Sequence, residues 1–217
     1  MNIIFGAGGF AKEVGWLLSD VARTGGLSDK VDAFVASDDA PNLGTAIHGA
    51  NVIPESEFFM KYGLDKLKVY IAVGSPQLRK RLHRKCTDSL EFVEFPALVH
   101  PSVRMDTRAG AVQFDAGAVV CAGTILTTDV QVGAFVHLNL NCTVGHDAQI
   151  GDFSTLSPGV HVSGGVLLGR SCFVGTGAVL LENVQIPDET IIGAGATVLR
   201  TLVAPGTYVG TPARLRQ

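Results

Sequence analysis

Charge is scarce in this chain. Only 17% of its 217 residues are Asp, Glu, Lys or Arg, and the formal net charge is −3. A protein that grips nucleic acid wants a basic face along the phosphate backbone, and no such surplus exists here. Cysteine is limited to Cys86, Cys121, Cys142 and Cys172 without any C-x-x-C spacing, so neither a zinc ribbon nor a disulfide framework is expected. No uninterrupted apolar run approaches the ~20 residues that span a bilayer. The opening "MNIIFGAGGF" lacks the basic segment and long apolar core of a secretion signal. The expectation is a cytoplasmic protein with reduced thiols and with neither a nucleic-acid nor a membrane partner.

What is present is apolar and rich in glycine: 47% hydrophobic residues and 26 Gly. The glycines have no period of three, which excludes collagen and leaves turn-rich β structure. Residues 1–96 alternate strand and helix patterns. "NIIF" (Asn2–Phe5), "VDAFV" (Val31–Val35), "KVYIAV" (Lys68–Val73) and "EFVEF" (Glu91–Phe95) read as four strands. Between the first two, Phe10, Val14, Leu17, Leu18 and Val21 share one helical face. After the third, Ser75 and Pro76 form a helix start, as N-cap and first helical residue. Strands alternating with helices predict a small parallel α/β sheet, half a dinucleotide-binding fold in size.

Residues 97–217 follow a different rule. Every sixth position from Phe114 to Val198 is apolar, fifteen in succession. At this hydrophobic content one register would do so by chance on the order of 10⁻⁵ of the time. Four places further on the residues are mostly small or β-branched, among them Ala118, Thr124, Cys142, Ala148 and Ser154. Hexapeptide repeats predict a parallel β-helix, three hexads to a coil and roughly five coils in all. The positions of Cys142 and Cys172 point inward, which makes a nucleophilic role improbable.

Two motifs carry chemistry. "GAGGFA" (Gly6–Ala11) follows a strand and opens a helix, as G-x-G-x-x-[GA] must if its backbone amides are to cradle phosphate. Glycine used for plain turn packing is the alternative. Gly74 and Ser75 open a second anion-friendly turn, and "ASDDA" brings Asp38 or Asp39 toward a ribose or base. Within "VGHDAQIGDF", His146 lies two places past an inward residue and so projects outward near a corner. An imidazole suits proton removal at neutral pH. Adjacent residues on a flat strand face opposite ways, so Asp147 supports His146 only where the chain bends. His100, His137 and His161 have no adjacent carboxylate and fit solvated turns. A zinc site would stack ligands eighteen residues apart, but His146 falls on Gly164, His137 on Thr155 and His161 on Thr143, so no metal is expected.

The hexads "IGDF" and "IGAGA", the ending "YVGTPARLR", and the N-terminal "GAGGFAKEV" with "IAVGSPQLRKRL", "NLNCTVGHDAQIGDF" and "LSPGVHVSGG" give the chain a wider likeness. It resembles the sugar O-/N-acyltransferase family of sialic acid O-acetyltransferases and bacterial nucleotide-4-aminosugar N-acetyltransferases. The resemblance covers almost the whole chain. It implies a left-handed β-helix, a homotrimer with active sites between subunits, and acetyl-CoA as co-substrate. The implied reaction is N-acetylation of the 4-amino group of a nucleotide-linked 4-amino-4,6-dideoxy sugar, with His146 as base and Asp147 orienting it. O-acetylation of a sugar such as sialic acid is the alternative, and a non-catalytic nucleotide-sugar-binding protein a further one. Gly6, Gly8, Gly9, Phe10, Gly74 and Ser75 at the two turns, with Asp38 or Asp39 after the second strand, are expected to meet the sugar nucleotide, and the resemblance sets Asn139 near the acceptor. By the same resemblance Gly164, Gly165, Thr176, Gly177, Ala194, Gly195 and Pro212 meet the CoA. The family's carboxylates fall one or two places before Asp38, where Ala36 and Ser37 stand.

Overall fold

Strand β1 (Asn2–Phe5) is buried along its whole length. Helix α1 (Gly9–Arg23) follows it and buries Ala11, Val14, Gly15, Leu17 and Leu18. Phe10 and Val21, expected on that face, are only half-buried. They lie near the two ends of a helix of 15 residues, about 22 Å long, while the 4-residue strand beneath covers about 13 Å. This and all that follows comes from a computed structural model, which describes residues 1–25 and 30–216.

The chain divides into two compact units, Met1–Leu98 and Val99–Gln217. The first continues with β2 (Ala33–Ala36), β3 (Ala46–Ile47), β4 (Ala50–Pro54), α2 (Glu55–Tyr62), β5 (Lys66–Ile71), α3 (Pro76–Ser89) and β6 (Phe92–Glu94). The sheet runs β3-β4-β2-β1-β5-β6. Every pair is parallel except the β3–β4 hairpin at one edge. The four strands expected are β1, β2, β5 and β6, so β3, β4 and α2 are additions to that reading. Their signals are weak for physical reasons: β4 is half-exposed and ends in Pro54, and α2 buries only Phe58. Strand order reverses between β1 and β5, the switch point at which open α/β sheets bind ligands. Ser75 caps α3 as expected, accepting the Leu78 N–H at 3.3 Å.

The second unit is a parallel β-helix of two- and three-residue strands. From Val112 to Val198 each strand pairs with its equivalent eighteen residues away, as Leu126 with Val144 and Val144 with Val162. Three sheets result. Face one holds Val119–Val120, His137–Leu138, Thr155–Leu156, Phe173–Val174 and Ile191–Ile192. Face two holds Ile125–Leu126, Thr143–Val144, His161–Val162, Val179–Leu180 and Thr197–Val198. Face three holds Val112–Phe114, Val130–Val132, Gln149–Ile150, Leu167–Leu168 and Gln185–Ile186. The inward column from Val120 to Val198 is at most 3% exposed, with Phe114 partly buried at the open end. The small residues four places on, such as Ala118, Cys142 and Ala178, are equally buried. His137 is a correction: it was expected to be solvated, but it is 1% exposed, and only the backbone period, not its own chemistry, dictates its place.

The corners have their own period. All fourteen residues at every sixth position from 117 to 195 have positive φ, eight of them not glycine: Asp129, Phe135, Asn141, Asp147, Phe153, Ser171, Asn183 and Glu189. Left-handed backbone costs an L-residue about 1–2 kcal/mol, less for Asn and Asp. The cost is offset along the edges: the corner N–H of each coil donates to a carbonyl nineteen residues back, as Phe153 to Ala134 at 2.8 Å. The Phe135 and Phe153 rings also stack at 5.1 Å.

Candidate active site

In the first unit, the ends of β1, β2 and β5 surround a cavity of about 570 Å³, lined by Gly6, Ala7, Gly8, Ser37, Asn42 and Arg81 among others. Gly6 cannot carry a side chain, because its φ is +122° and a Cβ there would lie 2.6 Å from the Ala72 carbonyl oxygen. The glycine turn is therefore pressed against the end of β5. Asn42 fixes its other side by donating from Nδ2 to the Ala7 carbonyl at 2.9 Å. Below, Arg79 is fully buried and donates to the carbonyls of Val73 (2.7 Å) and Gly74 (3.5 Å), pinning the β5–α3 turn. Burial pushes its guanidinium down to about 9.

The expected binding residues divide here. Gly6 and Gly8 line the cavity, with Gly9 and Phe10 starting α1 behind them. Gly74 and Ser75 flank Val73, which lines it, and the Ser75 hydroxyl is spent on the α3 cap. Asp38 accepts the Ser56 N–H at the start of α2, which holds its carboxyl below the usual range. Neither Asp38 nor Asp39 lines the cavity; Ser37 does. Asn42, Arg79 and Arg81 escaped the sequence reading. Within "RKRL" the sequence does not tell the two arginines apart, and only the burial pattern of α3, with Arg79 inward among Pro76, Leu82 and Cys86, separates them.

In the second unit, His146 and Asp147 occupy the edge between faces two and three. Asp147 is one of the left-handed corners, φ 58°. That bend turns two neighbouring side chains the same way, and His146 Nδ1 lies 2.7 Å from Asp147 Oδ2. A carboxylate only accepts, so Nδ1 carries a proton, and in the neutral ring Nε2 keeps its lone pair. Both side chains are 67% exposed, which leaves Nε2 within reach of a molecule in solution. The Asp147 N–H donates to Thr128 one coil below at 3.2 Å, and Thr128 Oγ1 accepts from Arg108 at 3.3 Å, which anchors the corner. Among the described residues, no group of three or more His, Cys, Asp or Glu is placed to hold a metal ion.

Gly164 and Gly165 lie on the same edge, one coil above. Asn139, Thr176, Gly177, Ala194 and Gly195 lie on the other edge of face two, and Pro212 follows Thr211, whose Oγ1 meets the Gly195 carbonyl at 3.3 Å. Equivalent corners of the two edges are six residues apart, up to about 20 Å along the chain. One copy therefore does not bring all the expected residues together. Asn139 is turned to its own coil, with Nδ2 on the Leu156 carbonyl at 3.1 Å. The far edge has a distinct property. A Cβ on Gly159, Gly177 or Gly195 would meet nothing within 4 Å, on three successive coils. Lower on this edge Gly123 makes room for Asn141, and on the other two edges Gly165 makes room for Asn183 and Gly117 for Phe135. The bare shelf spans two strand spacings, some 10 Å at ~4.8 Å each.

Comparison with known proteins gives this geometry its setting. The PglD N-terminal domain family matches residues 3–86. GDP-perosamine N-acetyltransferase of Escherichia coli O157:H7 is 30% identical over 188 residues, 85% of this chain and 80% of that protein. Over its whole length the chain resembles PerB of Caulobacter crescentus, solved with CoA and GDP-perosamine, at TM-score 0.86 and 29% identity, covering 97% of that chain. It also resembles WeeI of Acinetobacter baumannii AYE at TM-score 0.85 and 30% identity, covering 100% of this chain and 99% of that one. The half-dinucleotide sheet, the left-handed β-helix that follows it in the chain and the relatives that share both place this chain in the sugar O-/N-acyltransferase family.

Proposed function

We propose that this protein is an acetyl-CoA-dependent N-acetyltransferase acting on the 4-amino group of a GDP-linked 4-amino-4,6-dideoxy sugar. The observation that carries the reading is the His146–Asp147 pair at 2.7 Å on an exposed edge of the β-helix, with Nε2 left to accept a proton. The cavity at the β1–β5 switch point holds the nucleotide, with the Gly6–Gly8 turn and Arg81 facing its diphosphate. Relatives named for GDP-perosamine favour guanosine. Forms of the Caulobacter protein with one histidine replaced by asparagine or alanine were solved with the same ligands, which agrees with a histidine at the centre of the chemistry.

Acetyl-CoA supplies an activated acetyl thioester. The Gly159–Gly177–Gly195 shelf suits its extended pantetheine arm, since nothing lies within 4 Å of a Cβ at any of these three corners. The amine nitrogen attacks the thioester carbon as Nε2 of His146 takes the amine proton. The new C–N bond forms, the C–S bond breaks, and the proton passes to the departing thiolate. Asp147 holds the ring in the tautomer that accepts at Nε2 and stabilises the imidazolium. The His146 edge and the shelf edge lie on opposite sides of face two. They converge where one copy's His146 edge meets another copy's shelf, which favours a homotrimer with face two toward its axis. Both substrates are cytoplasmic metabolites, and the four free cysteines suit that compartment.

The test is CoA release scored by chromatography with GDP-, UDP- and dTDP-linked 4-amino sugars and with free sialic acid. Turnover with the GDP sugar, lost in His146→Ala, is the expected result. Turnover with sialic acid alone moves the reaction to O-acetylation, and turnover with another nucleotide overturns the guanosine assignment.

A further inference from the structure

The imidazole of His146 rests on the coil above it. A Cβ on Gly164 would lie 2.6 Å from His146 Nε2, 2.7 Å from Cε1 and 3.0 Å from Cδ2. The ring fills the place a side chain would take, and Gly164 is buried although it stands on an edge. Backbone geometry does not ask for glycine at this position. Its φ is outside the left-handed range, and the other residues of the same vertical column, Thr128, His146, Glu182 and Arg200, all carry side chains. The hydrogen bonds around it are main-chain only: Gly165 donates to the His146 carbonyl at 2.8 Å and Asn183 to the Gly164 carbonyl at 3.0 Å. The three heavy atoms nearest to a Cβ at residue 164 all belong to the imidazole.

We infer that Gly164 is a positioning residue for the base. Its bare α-carbon is the seat that holds the ring with Nδ1 on Asp147 and Nε2 at a fixed height on the edge. This rests on His146 being the base, and it gives Gly164 a task beyond contact with the acetyl donor. Because the atoms that would clash belong to the end of a movable side chain, Gly164→Ala leaves the coil intact and displaces only the ring. Gly145 provides the contrast: a Cβ there would strike backbone, 2.6 Å from the Gly164 nitrogen.

The experiment compares Gly164→Ala, Gly145→Ala, His146→Ala and the double variant His146→Ala/Gly164→Ala, each by thermal melt and full kinetics. A displacement of about 1 Å costs on the order of 100-fold in rate. Gly164→Ala is expected to keep the wild-type Tm and both KM values within about 3-fold while kcat falls by about that factor. In the His146→Ala background it should cost nothing further, since no ring remains to be displaced. Wild-type kcat in Gly164→Ala overturns the inference. So does a further loss in the double variant, or a Tm loss as large as that of Gly145→Ala. Should His146→Ala itself turn over normally, the base assignment falls, an outcome read directly from the single variant.

Discussion

In the proposed reaction the two nitrogens of His146 have separate tasks, and the carboxylate beside Nδ1 leaves Nε2 to take the proton. Replacing Asp147 by Asn keeps a residue that tolerates the left-handed corner, as Asn141 and Asn183 do. Folding should therefore change little, because exposed ion pairs contribute about 0–1 kcal/mol. The tautomer is no longer dictated, so we expect kcat to fall roughly 10- to 100-fold with KM for both substrates preserved, a split that steady-state kinetics reads directly. In the first unit, Arg81→Ala should weaken nucleotide-sugar binding about tenfold, some 1.4 kcal/mol, without touching acetyl-CoA affinity; calorimetry on each ligand checks it. The pair at residues 146 and 147 was legible in the sequence because a histidine and a carboxylate broke an otherwise apolar repeat. Asn42 and Arg79 were not. Their importance lies in which carbonyls they reach, and those come from other parts of the chain.

At the level of elements, the repeat declared itself and its corners did not. Inward residues repeat in hydropathy, which a sequence displays. Asp, Phe, Asn, Ser, Glu and Gly at the corners have in common only a backbone angle, and hydropathy is blind to it. In the same way β4 and α2 are too short and too exposed to show a period, and they emerge only from pairing with β2 and from the burial of Phe58. The corner rule makes the shelf testable. Gly177→Asn introduces a side chain that the left-handed geometry accepts and the open edge accommodates. It should leave Tm unchanged and raise KM for acetyl-CoA at least about tenfold, with nucleotide-sugar KM unaffected.

For the molecule as a whole, the proposed trimer, in which two copies share each site, predicts complementation. His146→Ala and Gly177→Asn copies are each impaired alone. Unfolded together and refolded as mixed trimers, they should regain activity up to about a quarter of wild type, because that share of interfaces pairs an intact histidine edge with an intact shelf. A site built within one copy would show no recovery. The interior predicts the alkaline limit. Burial pushes the thiols of Cys142 and Cys172 up to about 11 and that of Cys86 up to about 12, from an ordinary 9.0. Each folded thiol holds its proton where the unfolded one has lost it, so unfolding releases protons above pH 9. Their contribution to stability is complete below pH 9 and declines between pH 9 and about 11–12, which melts taken across that range should record.

The stacked coils also act as a ruler. Each turn of eighteen residues adds one ~4.8 Å division, so the height of His146 below the top of the chain is counted in whole turns and cannot drift. Deleting a single residue between them would rotate every later side chain off its column. Deleting a whole turn would keep all columns and shorten the scale by one mark, leaving a sound fold that measures a shorter donor.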